Sequence, residues 1–375
     1  MALSDLASTI AVRAERELKA LVAVSSPSGD VAGAEAAASV VAALVPDEVA
    51  IERIPCSSPD HAPDFVARLR GSGTRRILLL GHLDTVVAHQ RHRPLRRRDG
   101  RLVGSGSVDM KGGVVLAAGV LRALAARPEA YAEVTLLCVM DEEWRTHPFA
   151  HVERFRGYDA CVCFEAGQLS AGREAVVVRR KAASTLLVEA HGRAAHSGSA
   201  PDRGRNALLA LAEAARAVAA HHAPSGPDRL TAVPTILRSG EAFNVVPAAG
   251  ELYCDLRADR VGAFDAVRES LPGEVGGARL EARMLRLWPG MDARAETAEL
   301  LAGASRRLEA PIIAAERGGA SDASHMAASI PVTIDGLGPR GGGAHTPGEY
   351  VLAESLAPRA AIALAVVGEV LGTDL

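Results

Sequence analysis

Three apolar runs in this 375-residue chain break off into acids and imidazoles. Residues 77–80 lead into Gly81-His82-Leu83-Asp84, residues 134–140 into Asp141-Glu142-Glu143, and residues 161–164 into Glu165. Asp109 stands just before Met110-Lys111-Gly112-Gly113 and a helical stretch, where its charge meets the positive end of a helix dipole. If the runs are neighbouring parallel strands, their acids and one imidazole converge on a single rim. Such a cluster repels itself unless cations neutralise it. His82, Asp109, Glu143, Glu165 and the distant His345 supply five nitrogen and oxygen ligands, suited to two divalent ions about 3.5–4 Å apart. Two such ions balance three carboxylates and one bridging hydroxide. The mixture of imidazole and carboxylate points to zinc, with cobalt or manganese able to substitute.

Two short spacings refine this. His82 and Asp84 share a face in an extended segment, so Asp84 can fix the tautomer and orientation of His82. Glu142 and Glu143 point apart, so one can ligate a metal while the other faces the activated water as a general base. Taken singly these residues have ordinary uses: a loop hydrogen bond for His82 and Asp84, a helix N-cap for Asp109, a solvated turn for the acidic triplet. Their joint occurrence after consecutive apolar strands favours the metal reading.

The elements that must position them follow from periodicity. Helices are expected over 8–24 and onward to about 44, strands over 49–54, 65–69 and 77–80, a helix over 113–126, then strands over 134–140 and 161–164. This is the grammar of an α/β fold with a mostly parallel sheet. From residue 182 it changes: strand 184–190, helix 206–221, strands 230–237 and 251–257, helix 261–271 and strand 279–287 spell the β-α-β-β-α-β of a ferredoxin-like α+β unit. The α/β pattern then returns, with a helix to 309, strands over 311–315 and 331–334, and a last helix over 353–371. The economical reading is a first catalytic segment over 1–181, an inserted domain over 182–288, and a second catalytic segment over 289–375.

Composition excludes other classes. A net charge of −3 and 3% aromatic residues argue against nucleic acid, as does the absence of aromatics within the arginine-rich stretch 91–101, read as a solvated loop. No apolar run reaches the length of a membrane span. Asp5, Arg13, Glu15, Arg16, Glu17 and Lys19 leave no secretory apolar core near the start. Five cysteines (Cys56, Cys138, Cys161, Cys163, Cys254) without zinc-ribbon spacing read as buried thiols of a cytoplasmic protein. Gly71-Ser72-Gly73 precedes a strand rather than following one, so it is no dinucleotide turn.

The set Gly81-His82-Leu83-Asp84-Thr85-Val86, the run 104–113 around Asp109, Asp141-Glu142-Glu143, Glu165, the run 191–198 around His196, and Ala344-His345-Thr346 resembles the M20 family of co-catalytic zinc hydrolases. That family includes glutamate carboxypeptidases, acetylornithine and succinyl-diaminopimelate deacylases, and aminoacylases. The resemblance implies a zinc-peptidase catalytic domain with an inserted lid that also dimerises. It implies that His82 and Glu165 hold one zinc, Glu143 and His345 the other, that Asp109 bridges both, and that Glu142 is the general base with Asp84 supporting His82. His196 resembles the lid histidine that reaches a neighbouring subunit's active site and stabilises the oxyanion. Asn244, within 243–247, and Arg257 resemble positions that bind a substrate carboxylate, a group suited to a guanidinium fork. Asp322 lies in a segment that resembles one near the family's pocket. Two stretches depart from the pattern: Trp144-Arg145-Thr146-His147-Pro148, where many members have small glycine-rich turns, and the glycine-rich run 338–343.

The expectation is therefore a cytoplasmic, homodimeric dizinc hydrolase. It would cleave an amide bond in a small peptide or N-acyl-amino acid, releasing a C-terminal amino acid. A biosynthetic N-acetyl or N-succinyl amino-acid deacylase is the near alternative, and a catalytically silent metal-binding scaffold the distant one.

Overall fold

The computed structural model describes residues 3–375, which divide into two compact units. One comprises the chain up to Arg179, together with Asp292–Glu316 and Ser321–Leu375. The other comprises Arg180–Met291 and the short return Arg317–Ala320.

The first unit is built on a six-stranded sheet in the order Ala50–Ile54, Asp64–Arg70, Glu133–Val139, Arg76–His82, Ala160–Cys163, Thr333–Ile334. The first two pairings are antiparallel and the remaining three parallel. Arg76–His82 and Glu133–Val139 are apolar along nearly their whole length and almost wholly buried, as strands covered on both faces must be. Because Glu133–Val139, Arg76–His82 and Ala160–Cys163 are adjacent and parallel, the residues that follow them leave the sheet at the same edge.

Helix Leu3–Val22 begins earlier than the periodicity predicts. It buries Ile10, Ala14, Leu18 and Leu21 along one stripe, packed on Gly112–Ala125 and Leu356–Leu371. No helix among the described residues is long and apolar enough to cross a membrane.

The stretch read as a solvated arginine loop holds a hairpin, Arg96–Arg98 paired with Arg101–Val103. Asp99 and Gly100 turn it with φ of 48° and 74°, the left-handed pair that a two-residue hairpin loop requires. A second hairpin, Gln168–Ser170 with Arg173–Arg180, lies outside the expected elements; Ala171 and Gly172 turn it in the same way. Of the five cysteines, Cys56 is only half-buried, whereas the other four are buried as expected; none is disulfide-bonded.

The second unit is an antiparallel sheet in the order Thr231–Ser239, Ala249–Ala258, Ala182–His191, Ala278–Trp288, Glu274–Val275. Numbering its four long strands along the chain gives 2-3-1-4, the ferredoxin-like order. Helices Ala207–Ala220 and Gly262–Glu269 cover it, and Asn206 caps the first by accepting from Leu209 N–H. Leu186, Val188, Leu211, Val218, Leu252, Leu256 and Phe264 form its separate core.

One glycine sets how closely a helix approaches the site edge. A Cβ on Gly113, in the first turn of Gly112–Ala125, would overlap the carbonyl oxygen of Phe164, the residue before Glu165. A backbone oxygen at a strand end cannot swing aside. Gly113→Ala should therefore cost at least ~3 kcal/mol in urea denaturation, near the upper end for overpacking. Gly273→Ala, into open space, should stay within about 0.5 kcal/mol. Equal midpoints for the two variants would contradict this close approach.

Candidate metal centre

The shared sheet edge delivers the expected side chains to one place. His82 ends its strand with Nε2 3.0 Å from Asp109 Oδ1 and 3.7 Å from Glu165 Oε1. His345 Nε2 lies 3.1 Å from Asp109 Oδ2 and 3.2 Å from Glu143 Oε1. Two groups result, His82–Asp109–Glu165 and Asp109–Glu143–His345, each with its ligand atoms within 4.8 Å of one another. Asp109 belongs to both and turns one oxygen toward each histidine. Glu142 belongs to neither.

The donor chemistry fits divalent cations. His82 Nδ1 lies 3.1 Å from the Asp84 carbonyl and 3.3 Å from Asp84 Oδ1, so its proton sits there and the Nε2 lone pair is left for a metal. Charges compete for protons throughout the cluster. Burial would raise the Asp109 carboxyl, but His345 and His82 outweigh it and hold it well below the usual carboxylate range. The contacts with Asp109 and Glu143 push the His345 imidazole up to about 10. Burial works against a charge on His82, yet Asp109 and Asp84 raise it well above an ordinary histidine. Burial, reinforced by the carboxylates of Asp322, Glu165 and Glu143, pushes Glu142 well up. Positive charge is thus drawn to the places where cations would sit.

Asp84 does more than its spacing from His82 suggests. Its carboxylate accepts from the backbone N–H of Glu142 (3.2 Å) and of Glu143 (3.0 Å), clamping the acidic turn against the neighbouring strand end. That turn has a second anchor which the sequence did not reveal. Arg145 is buried; its guanidinium meets Asp141 Oδ1 at 2.9 Å and forks onto both oxygens of Asp322, at 2.6 and 2.8 Å. Asp141 also accepts from Ser58 N–H and Oγ–H. Asp322 therefore braces the acidic turn, and the departure at 144–148 is an anchor for it. Between these fixed neighbours Trp144 is 62% exposed.

Lys111 is wholly buried. Its ammonium donates to the Val24 carbonyl at 2.7 Å, and burial pulls it down to about 7 against the opposing pull of Glu349 and Asp84. A charged residue at the start of an otherwise apolar helix was the available signal.

The three remaining candidates lie in the second unit. His196 is exposed, and its Nδ1 accepts from Gly198 and Ser199 N–H, both at 3.1 Å, which leaves the proton of the neutral ring on Nε2. Arg257 is engaged by Asp255 two residues earlier: Nε sits 3.1 Å from each oxygen and Nη2 3.0 Å from Oδ1. Asn244 precedes strand Ala249–Ala258, whereas Arg257 lies near its far end, so roughly 25 Å of extended chain separates them. The strand therefore sets Asn244 and Arg257 well apart within one chain.

Residues 78–369 match the pattern of peptidase family M20/M25/M40. The chain belongs to that family. It is 26% identical over 262 residues to carboxypeptidase G2 of Pseudomonas sp. (strain RS-16), an alignment covering 68% of this chain and 62% of that protein. It is 29% identical over 228 residues to the succinyl-diaminopimelate desuccinylase of Methylobacterium nodulans, covering 55% and 57%. The chain thus spans about three-fifths of the length of these curated relatives. YxeP of Bacillus subtilis, described as a dinuclear metal-binding peptidase of the M20 family, shares the fold with a TM-score of 0.70 at 15% identity, over 98% of this chain and 99% of that one.

For this M20 chain the Arg145 anchor makes a measurable prediction. Burial raises the Asp322 carboxyl, but the Arg145 guanidinium outweighs it and the net shift is downward. A lowered acid stabilises the fold above its unfolded value of about 4 and loses that contribution as pH falls through the folded value. Asp322→Ala should cost about 3 kcal/mol at neutral pH, since it leaves the buried guanidinium with Asp141 as its one carboxylate partner. The gap from wild type should narrow below about pH 4. A gap constant from pH 7 to 3 in chemical denaturation would contradict the pairing.

Proposed function

We propose that the protein is a two-metal amide hydrolase that releases a C-terminal amino acid from a small peptide or N-acyl-amino acid. The observation that carries this reading is the placement of Asp109, whose two oxygens face separate histidine–carboxylate groups. Zinc is the expected cation, with cobalt or manganese able to occupy the same ligands. Bound there, the pair supplies Lewis acidity toward the amide carbonyl and lowers the pKa of water toward about 7.

The chain's own groups do the rest. Glu142 lies outside both ligand groups, on a turn whose backbone Asp84 holds. Its raised proton affinity suits it to take a proton from the attacking water and deliver it to the leaving nitrogen. His196 presents Nε2–H, a donor of the kind that stabilises an oxyanion by on the order of 3 kcal/mol. Arg257 keeps Nη1 outside its bonds with Asp255 and offers it to a substrate carboxylate. Asn244 contributes from its own loop rather than beside Arg257. The similarity to a carboxypeptidase and to desuccinylases agrees with amide cleavage beside an amino-acid carboxylate. The desuccinylases favour N-acyl removal as the second reading.

Glu142→Gln should lower kcat about 10²–10⁴-fold while the protein retains two metals by elemental analysis. Loss of metal together with activity would reassign Glu142 as a ligand. Wild-type protein that holds two metals yet cleaves nothing across peptide, N-acetyl and N-succinyl panels would favour the silent scaffold. Among active panels, preference for N-succinyl or N-acetyl substrates over peptides selects the deacylase reading.

We also propose that the protein is a homodimer through the inserted unit, in the cytoplasm, where five thiols outside any disulfide are stable. Strand Thr231–Ser239 is an edge of its sheet and exposes Val233, Ile236 and Leu237, an open template for strand pairing with a second copy. Light scattering should give twice the 38.9 kDa chain mass, and Ile236→Lys with Leu237→Lys should return it to the monomer. A monomeric wild type would refute this assembly.

A further inference from the structure

The segment that carries His345 and the turn that carries Asp109 lie more than two hundred residues apart in the chain, yet one side chain joins them. Glu349 is 2% exposed. Its Oε2 accepts from Gly106 N–H at 2.8 Å, and its Oε1 from Val108 N–H at 2.8 Å and Asp109 N–H at 3.0 Å. Its own carbonyl accepts from Gly104 N–H at 3.0 Å. Four backbone donors of one turn thus end on one glutamate. Immediately beyond it, Tyr350–Leu352 pairs with Arg101–Val103, carrying the same junction into a sheet.

The two metal groups depend on this junction unequally. His82 closes a central strand, Glu165 follows another, and His82 is 1% exposed. His345 has a side chain 52% exposed and a backbone φ of +64°, a conformation that a histidine keeps only where its surroundings over-determine it. Locally, Thr346 donates to the Gly343 carbonyl through N–H (3.0 Å) and Oγ–H (2.7 Å), and Glu349 N–H to the Thr346 carbonyl at 3.2 Å. The loop is tied to the Asp109 turn by the Glu349 carboxylate and carbonyl, by the pairing beyond it, and by Arg93, which donates to the Pro347 carbonyl at 3.2 Å and bonds Ser105; only the carboxylate reaches the backbone of Asp109 itself.

We infer that Glu349 is a positioning residue for the metal centre, setting His345 against Asp109 so that the Asp109–Glu143–His345 group forms, while His82 and Glu165 of the other group are held by the strands they follow. This rests on the two-metal reading above. Glu349 touches neither group's ligand atoms; it acts by fixing the backbone of the shared ligand relative to the terminal one. Glutamine is a stringent probe. Its carbonyl can replace Oε1, but its amide would face the Gly106 N–H donor against donor.

The test titrates metal-free protein with Co²⁺, following heat and visible absorption, for wild type, Glu349→Gln, Glu349→Asp and His345→Ala. Wild type is expected to take two equivalents. Glu349→Gln should bind the first within about threefold of wild type and the second at least about tenfold more weakly, the scale of lost outer support for a ligand. Its one-equivalent spectrum should match those of wild type and His345→Ala. If Glu349→Gln gives no cooperative thermal transition without metal, Glu349→Asp, which keeps the carboxylate and shortens its reach, carries the same expectation. Wild-type affinities for both equivalents, or equal weakening of both, would overturn the assignment. Wild-type protein that binds fewer than two cations would remove the two-metal reading itself.

Discussion

Crowding of like charge around Asp109 is the constraint on which the remainder of this structure depends. Two unit charges 4 Å apart interact by about 4 kcal/mol at an effective dielectric of 20. A few uncompensated repulsions of that size rival the whole net stability of a domain, about 5–15 kcal/mol. The folded chain meets the constraint by drawing positive charge into the cluster: both His82 and His345 are pushed toward their protonated forms by the carboxylates they face. A divalent cation at each group would do the same with twice the charge, and with coordination geometry that a proton lacks. The cluster is therefore arranged for cations in a way that a solvated acidic turn is not.

Holding such a cluster in place takes groups that never touch the reacting atoms. Asp84 clamps the backbone of Glu142 and Glu143 from the side of the His82 strand. Arg145 pins the other end of the same turn to Asp141 and Asp322. Burying a guanidinium between two carboxylates is poor value as stability alone, because desolvation consumes most of the Coulombic gain. What it supplies is a single position for the turn, and Gly113 complements it by letting a helix close on the strand end that leads into Glu165.

The sequence was most legible where side-chain periodicity or type carried the information. Apolar runs located the central strands to within a residue or two, and the acids after them located the site, because parallel strands discharge their following residues on one edge. The split β-α-β-β-α-β order was legible for the same reason. What escaped has a physical pattern. The Asp99-Gly100 turn was written in the chain but hidden by the charge of the arginines around it. Glu349 and the second role of Asp84 act on backbone N–H groups, which every residue possesses and no spacing advertises. Arg145 carries no signal of burial, since arginine is usually at the surface; only the meeting of Asp141 with Asp322, from distant parts of the chain, compensates its charge there. Asn244 and Arg257 were grouped by their resemblance, and the length of strand Ala249–Ala258 separates them.

The same division explains why the acidic cluster and the exposed surface are unequally constrained. His82, Glu143 and Glu165 sit at strand ends or on one clamped turn, so altering any of them disturbs packing as well as charge. The exposed surface is different: Trp144 is 62% exposed between two anchored neighbours, and in the inserted unit Phe243 is fully exposed beside Asn244. Replacing either removes little buried area, so the fold resists it weakly. Physical constraint therefore bears on the acidic cluster more tightly than on these exposed side chains.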